Sequence, residues 1–249
     1  MFIFIFFFLG LIVGSFLNVV ISRLNTNEPI VWDRSECPKC HTKLGPADLV
    51  PLLSFAWLRG HCRHCGKNIS WQYPIVELIT GVTFGLFAYN LQPTTYNLAF
   101  EIVFACFLIV IAVYDYKHYL ILDKVVFPAA AVALVYQIFA GNLLWAGFGV
   151  VVIAGFFGLQ YVLSKGKWIG LGDVKLGIFL GLLFSKAAIW YLLFSYILGG
   201  LIAVALLVSG RKKLASKLPF GTILAISGII FMLYGDLLLG WYLDLLRFK

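Results

Sequence analysis

The sequence predicts an all-α polytopic membrane protein of about eight transmembrane helices, with a cytoplasmic zinc-binding loop after the first helix. Three observations lead there. Apolar and aromatic residues make up 62% of the 249-residue chain and charged residues only 12%, about half the charge of an ordinary soluble domain. Too little polar surface remains to cover a water-soluble globule, which excludes an ordinary soluble enzyme, a disordered chain and a disulfide-rich secreted scaffold. Apolar segments recur at about 1–22, 74–91, 97–114, 125–141, 143–163, 187–209 and 219–243, with a shorter one at 173–185; a span needs about 20 such residues. The basic residues, finally, fall on one side of this pattern.

The first segment has no basic residue ahead of its apolar run and no small-x-small cleavage site behind it. It is expected to be an uncleaved span with its N-terminus outside and Arg23 at its inner end. Residues 24–73 then form one large polar loop, and residues 74–249 a membrane bundle with short connections. The 173–185 stretch is short for a span, so a tilted or re-entrant helix is an alternative. Counting it makes the charges fall in order. Arg23, Arg34, Lys39, Lys43, Arg59, Arg63, Lys67, Lys117, Lys124, Lys165, Lys167, Lys175, Arg211, Lys212, Lys213 and Lys217 then face the cytoplasm, against Lys186, Arg247 and Lys249 outside. That asymmetry sets orientation. The net charge of +8 reads as attraction to anionic headgroups of the lipid bilayer, and no nucleic-acid partner is expected. Glycines in the spans (Gly81, Gly85, Gly147, Gly149, Gly155, Gly158, Gly177, Gly181, Gly199, Gly200) are expected to allow close helix packing.

Four of the five cysteines form two C-x-x-C pairs, Cys37/Cys40 and Cys62/Cys65. A short turn aims both thiolates of a pair at one ion, and four thiolates close a tetrahedral zinc site. The interval between the pairs is one residue longer than the usual zinc spacing. Two disulfides or redox-active dithiols are the alternative, disfavoured on the reducing cytoplasmic side. His41, His61 and His64 are spare ligands at best, and Cys106 is expected to be ordinary packing.

Among the acidic residues, Glu28, Asp33, Glu36 and Asp48 fall in the polar loop as solvated charge. Glu101, Asp236 and Asp244 fall near outer span ends. Glu77, Asp115, Asp123 and Asp173 remain, at the cytoplasmic ends of spans, where an acid is costly and signals function. Asp115 ends the third span and Asp173 opens the sixth segment, so both lie at one membrane depth. Two facing carboxylates in a low-dielectric site share a proton, one acting as base and the other as acid on a single water. Gly170 and Gly172 would let a substrate backbone come close to Asp173. The alternative for Asp173 is a helix N-cap.

These residues resemble the type IV prepilin leader peptidase/N-methyltransferase family of the bacterial inner membrane. Gly14-Ser15-Phe16-Leu17-Asn18-Val19-Val20-Ile21-Ser22-Arg23 is similar to its first-span motif, and the cysteine pairs to its zinc loop. Ile69–Gly81 resembles its I-S-x-x-Y-P-x-V-E-x-x-T-G, Asp115 and Asp123 its D-x₇-D, and Gly170-x-Gly172-Asp173-x-Lys175-Leu176 its G-x-G-D-x-K-L. The last motif also resembles presenilin-like intramembrane aspartyl proteases. Two departures stand out. The family's L-P-D reads Ile121-Leu122-Asp123, and its P-x-G-P reads Pro219-Phe220-Gly221-Thr222; neither is expected to touch Asp115 or Asp173.

The resemblance implies removal of the basic leader from type IV prepilin, pseudopilin or competence-pilin precursors at the cytoplasmic membrane edge. Methylation of the new N-terminus from S-adenosylmethionine would follow. Asp115 and Asp173 would be catalytic, with Asp123, Glu77, Gly170, Gly172 and Lys175 as secondary candidates. Cys37, Cys40, Cys62 and Cys65 would hold a structural zinc. The loop and Glu77 would serve methylation and leader positioning more than cleavage; a first-turn acid favourable to the helix dipole is the other reading of Glu77. The donor-binding residues stay unassigned. Competing readings are a peptidase without methylation, a proton-coupled transporter that relays protons through its acids, and a scaffold that binds partners through its loop.

Overall fold

A computed structural model describes residues 1–26, 29, 34–90, 95–210 and 218–247. Glu28, Asp33, Arg211, Lys212, Lys213, Lys217 and Lys249 lie outside the described residues. Among the described residues the protein is all helical, apart from two isolated antiparallel bridges, Glu36 with Lys43 and His61 with Asn68. The helices are α1 (Phe2–Arg23), the five-residue α2 (Leu53–Trp57), α3 (Gln72–Asn90), α4 (Thr95–His118), α5 (Asp123–Phe139), α6 (Leu143–Ser164), α7 (Leu171–Phe184), α8 (Ala188–Val208) and α9 (Phe220–Arg247). Short 3-10 turns cover Pro46–Leu49 and Ser185–Ala187.

Among the described residues, five helical stretches are long and apolar enough to cross a membrane: Phe2–Arg23, Asn97–His118, Leu143–Ser164, Leu171–Val208 and Phe220–Tyr242. The fourth is 38 residues long and holds both α7 and α8, divided where Ser185 takes φ +44°. At 1.5 Å per residue α7 alone reaches only about 21 Å, short of a hydrocarbon core of about 30 Å.

The chain divides into two compact units, Met1–Cys106 and Phe107–Lys249. The first is built on α1 against α3. A Cβ on Gly10 would stand 2.7 Å from the Gly81 Cα, and one on Gly14 2.7 Å from the Glu77 Cα. Backbones this close are the usual packing solution in lipid, where burial of apolar area gives helices no reason to associate. Asn18 ties the same helices together, donating to the Tyr73 carbonyl (3.1 Å) and accepting from the Gln72 amide (3.0 Å).

In the second unit α7 packs against α5 and α6, and α8 against α9. A Cβ on Gly149 would run into the Gly181 carbonyl, and one on Gly181 would stand 2.6 Å from the Gly149 carbonyl. Gly177 is similarly crowded by Ala154, whereas Gly147, Gly155 and Gly200 meet nothing within 4 Å, so close packing accounts for some of the span glycines only. Phe157, Phe179, Leu180, Tyr191 and Leu224 are fully buried. Tyr191 stacks on Phe184 at 4.1 Å and donates its hydroxyl to the Leu224 carbonyl at 2.8 Å, so its polar tip is satisfied inside the core.

Candidate metal site and carboxylate site

The loop between α1 and α3 repeats one turn twice. In the first, Cys37 N donates to the Thr42 carbonyl (3.0 Å) and His41 N to the Cys37 carbonyl (2.9 Å). In the second, Cys62 N donates to Lys67 O (2.8 Å) and Gly66 N to Cys62 O (2.9 Å). Each turn closes on a left-handed residue, His41 (φ +55°) or Gly66 (φ +67°). The turns bring Cys37, Cys40, Cys62 and Cys65 together with their sulfur ligand atoms all within 4.8 Å of one another. All four are free thiols, and the cluster suits one tetrahedral ion better than two separate disulfides.

Electrostatics point the same way. Hydrogen bonds from the side chain and backbone of Thr42 pull the Cys40 thiol down to about 6. Cys65 accepts from the Lys67 amide, yet desolvation and the neighbouring sulfurs outweigh that bond and push it up to about 11. Four thiolates so close repel one another unless a cation sits among them. The three histidines stay outside the cluster; His41 Nδ1 pairs with Glu36 (3.0 Å) and His61 Nδ1 with the Arg59 carbonyl (2.7 Å).

Two charges expected at the surface are structural. Asp48 accepts from the Gly45 amide (3.1 Å) and pairs with Arg63 (3.0 Å), its side chain only 8% exposed, so it links the stretch before α2 to the second cysteine turn. Arg23 is buried and donates to the carbonyls of Pro29 and Arg34, fixing where the loop leaves α1. Glu77 is buried in the early turns of α3, and its Oε2 accepts from the Leu52 amide at 2.8 Å. Leu52 has φ +59°, a conformation costly for a non-glycine residue. Glu77 therefore clamps a strained turn of the loop onto α3.

The carboxylates of the second unit are arranged by helix ends. Asp115 occupies the last turn of α4, which Tyr119 terminates with φ +54° while its amide donates to the Asp115 carbonyl (2.8 Å). The Asp115 side chain is buried, and its Oδ2 accepts from the Thr222 amide at 2.7 Å and the Thr222 hydroxyl at 3.0 Å. Thr222 lies in the first turn of α9, where amides have no partner within the helix. Asp173 lies at the third position of α7 and accepts from the Gly170 amide at 3.0 Å. It reaches back to satisfy the start of its helix, while Gly170 itself takes the N-cap position.

Ile121 joins these pieces. Its side chain would lie 3.0 Å from a Cβ on Gly172 and 2.8 Å from one on Gly221, and Asp115 Oδ2 3.1 Å from that same Gly221 Cβ. A larger residue at either place would have to displace the Ile121 side chain. The Asp115 charge reaches the Asp173 carboxyl. Lys175, two residues further along α7, donates to both oxygens of Asp123 at 2.8 Å and lies 5.8 Å from the Phe127 ring centroid. Asp123 is thus committed to a lysine.

One expectation fails here. The departure at Thr222 does touch Asp115, with two hydrogen bonds, and a proline at that position would supply neither. The departure at Leu122 has a milder outcome: its carbonyl accepts from the Val125 and Val126 amides and starts α5. Sequence reasoning passed over Thr222 because the pair is 107 residues apart; the available signal was a hydroxyl residue standing where the motif carries proline.

Residues 8–91 match the family model described as the bacterial peptidase A24 N-terminal domain, and residues 102–207 that of the type IV leader peptidase family. The chain is 34% identical to the prepilin leader peptidase/N-methyltransferase of Bacillus subtilis, over 97% of this chain and 98% of the relative. It is 32% identical to that of Dickeya chrysanthemi (94% and 92% covered) and 30% identical to that of Pseudomonas aeruginosa (97% and 93% covered). No solved structure matches. Two family models in order along the chain, and likeness over nearly its full length, carry one conclusion: the chain belongs to the prepilin leader peptidase/N-methyltransferase family.

Proposed function

We propose that this protein cleaves the basic leader from type IV prepilin-like precursors, pseudopilins and competence pilins included, at the cytoplasmic face of the bacterial inner membrane, and then N-methylates the exposed N-terminus. The observation that supports the cleavage reading is that Asp115 ends one helix beside Gly221 and Asp173 opens another next to Gly172, both glycines lying against Ile121, with the Asp115 charge felt at Asp173. In the resting pair one carboxyl is charged and its partner holds a proton. The charged one takes a proton from water as the water oxygen bonds to the scissile carbonyl carbon. The protonated one gives its proton to the carbonyl oxygen. Collapse of the resulting gem-diol breaks the C–N bond, and a proton passes to the departing amine. Gly170, whose Cβ position meets nothing closer than 3.5 Å, leaves room beside Asp173 for an extended substrate backbone.

The site's depth agrees with the substrate. A basic leader is held on the cytoplasmic side by the positive-inside rule, so the bond to be cut lies at that membrane edge. The same rule supports an outside N-terminus and a cytoplasmic cysteine loop, and counting eight spans, the short α7 included, keeps most basic residues on the cytoplasmic side. Cys37, Cys40, Cys62 and Cys65 would hold one zinc. Four thiolates leave no open position on the ion, so it serves the fold of the loop and takes no part in hydrolysis. Methylation would draw on S-adenosylmethionine, with Glu77 and the loop on that side of the work.

The test is a leader-bearing pilin mixed with detergent-solubilised protein, read by gel and by mass spectrometry of the mature N-terminus. Loss of the leader with one added methyl group is the expected result. Cleavage without the methyl group would remove the transferase half, and proton flux into vesicles without cleavage would overturn the reading in favour of a transporter.

A further inference from the structure

We propose that Thr222 is a positioning residue whose hydroxyl follows the charge of Asp115, so that Asp115 can gain and lose a proton without moving. The inference rests on the dyad reading above. The Thr222 hydroxyl has two acceptors at the same distance, Asp115 Oδ2 and the Ala112 carbonyl, each at 3.0 Å. A hydroxyl carries one proton and can serve only one of them at a time. When Asp115 is charged, the proton points to Oδ2, where a charge-assisted bond is the stronger choice. When Asp115 is neutral, Oδ2 is a weaker acceptor and the proton turns to the Ala112 carbonyl. Only a hydrogen moves. The Thr222 amide keeps its bond to Oδ2 throughout (2.7 Å), so the carboxyl stays aimed while its charge changes.

The arrangement also limits where a proton can arrive. Oδ2 already accepts two donors, leaving Oδ1 as the oxygen for exchange with water. All members of the device are buried, so bulk water does not stand in for the hydroxyl. The proton taken by Asp115 comes from the attacking water and leaves with the amine, as in the cleavage scheme; Thr222 exchanges none.

The groups that could dominate the pH response are few. Asp173 on α7 is the acid that the Asp115 charge reaches. The first two turns of α9 carry no titratable side chain. α4 itself brings Tyr114, with the His118 ring tilted against it at 4.5 Å, besides Tyr116 and Lys117. Lys175 is paired with Asp123, and Tyr196 on α8 lies within reach of the Asp173 charge.

The experiment compares Thr222→Ser, Thr222→Ala and Thr222→Val in cleavage assays across pH, with thermal unfolding in detergent as the check on folding. Thr222→Ser is expected to keep the rate within about 3-fold. Thr222→Val is expected to lose roughly 10- to 100-fold in kcat with KM little changed. Because the lost bond favoured the charged carboxyl, charging becomes harder, and the acidic limb of the profile moves up by roughly half to one pH unit. If Thr222→Val does not fold, the Ser and Ala variants, which differ by one oxygen, give the same reading. Wild-type profiles for Val and Ala would overturn the proposal, as would a Ser variant as slow as Ala. Asp115→Asn run beside them separates the two levels: an active Asp115→Asn defeats the dyad itself, whereas an inactive one with unaffected Thr222 variants defeats only the switch.

Discussion

The cysteine cluster and the carboxylate pair are both four-point arrangements, but they are assembled in opposite ways. The cluster is two copies of one local turn, each closed by its own backbone hydrogen bonds within a few residues. The carboxylate site draws on the end of α4, the connection through Ile121, the start of α7 and the start of α9, and its hydrogen bond from Thr222 to Asp115 spans 107 residues. A locally built site can be recognised by spacing and tolerates change elsewhere in the fold. A site built from helix ends exists only while the bundle holds those ends together. The two should therefore fail independently and by different measurements.

The largest effect is expected at the carboxylates. Asp115→Asn or Asp173→Asn should lower cleavage by about 10²–10⁴-fold or more, because an acid/base group is removed from a shared pair. Asn can still accept the Thr222 and Gly170 hydrogen bonds and so preserve the start of each helix. Zinc content, measured by metal analysis of the purified variants, should stay unchanged. Normal cleavage by either variant would break the pairing, and loss of zinc together with activity would break the claim that the sites are separate.

Next come the cysteines. The purified protein should carry about one zinc per chain, and Ser at position 37, 40, 62 or 65 should lower that content in each case. Chelation should unfold the loop before it touches the bundle, since a site absent from the unfolded chain contributes its binding energy to folding. Residual cleavage by chelated protein is the expected outcome. Metal analysis finding no zinc in reduced, intact protein would remove this half of the comparison.

Much of the molecule was legible for the same reason the cysteine site was. Apolar runs locate helices without knowledge of their partners, and the helix limits fall within a few residues of those read from hydropathy, as at 143–163 against Leu143–Ser164. Asp115 and Asp173 could be singled out because an acid at a membrane edge is costly whatever surrounds it. Pairings were not legible. Lys175 could not be matched to Asp123, nor Thr222 to Asp115, because those contacts depend on which helix ends meet. Asp48 looked like solvated charge for a related reason: composition marks a residue as polar without saying that a carboxylate will be needed to join two loop segments. Glycine content was only partly informative, since Gly149 and Gly181 sit at a helix crossing and Gly147 and Gly155 face open space.

Glu77 sharpens the comparison from the first unit. Glu77→Gln keeps an acceptor for the Leu52 amide but removes the charge, so the strained turn should persist. Methylation of cleaved pilin is expected to fall while cleavage continues, read by mass spectrometry of both products from one substrate. Loss of cleavage with methylation intact on pre-cleaved pilin would reverse the assignment of Glu77.

The smallest effect is expected at Asp123 and Lys175, although both lie in family-like motifs beside the carboxylates. Their ion pair is partly open to solvent, with side chains 54% and 31% exposed, and exposed pairs contribute about 0–1 kcal/mol. Lys175 adds a contact with the Phe127 ring, of about 0.5–1 kcal/mol at such sites. If the pair only holds α5 to the start of α7, Asp123→Asn should slow cleavage by no more than about 5-fold, since 1.4 kcal/mol corresponds to a factor of about ten. Lys175→Met should cost somewhat more, because it loses both contacts. In a double-mutant cycle on kcat/KM the two changes together should cost less than their sum, the signature of one shared interaction. A loss for Asp123→Asn equal to that of Asp115→Asn would instead place Asp123 among the groups that handle protons, and the pair with Lys175 would then be the resting state of a catalytic acid.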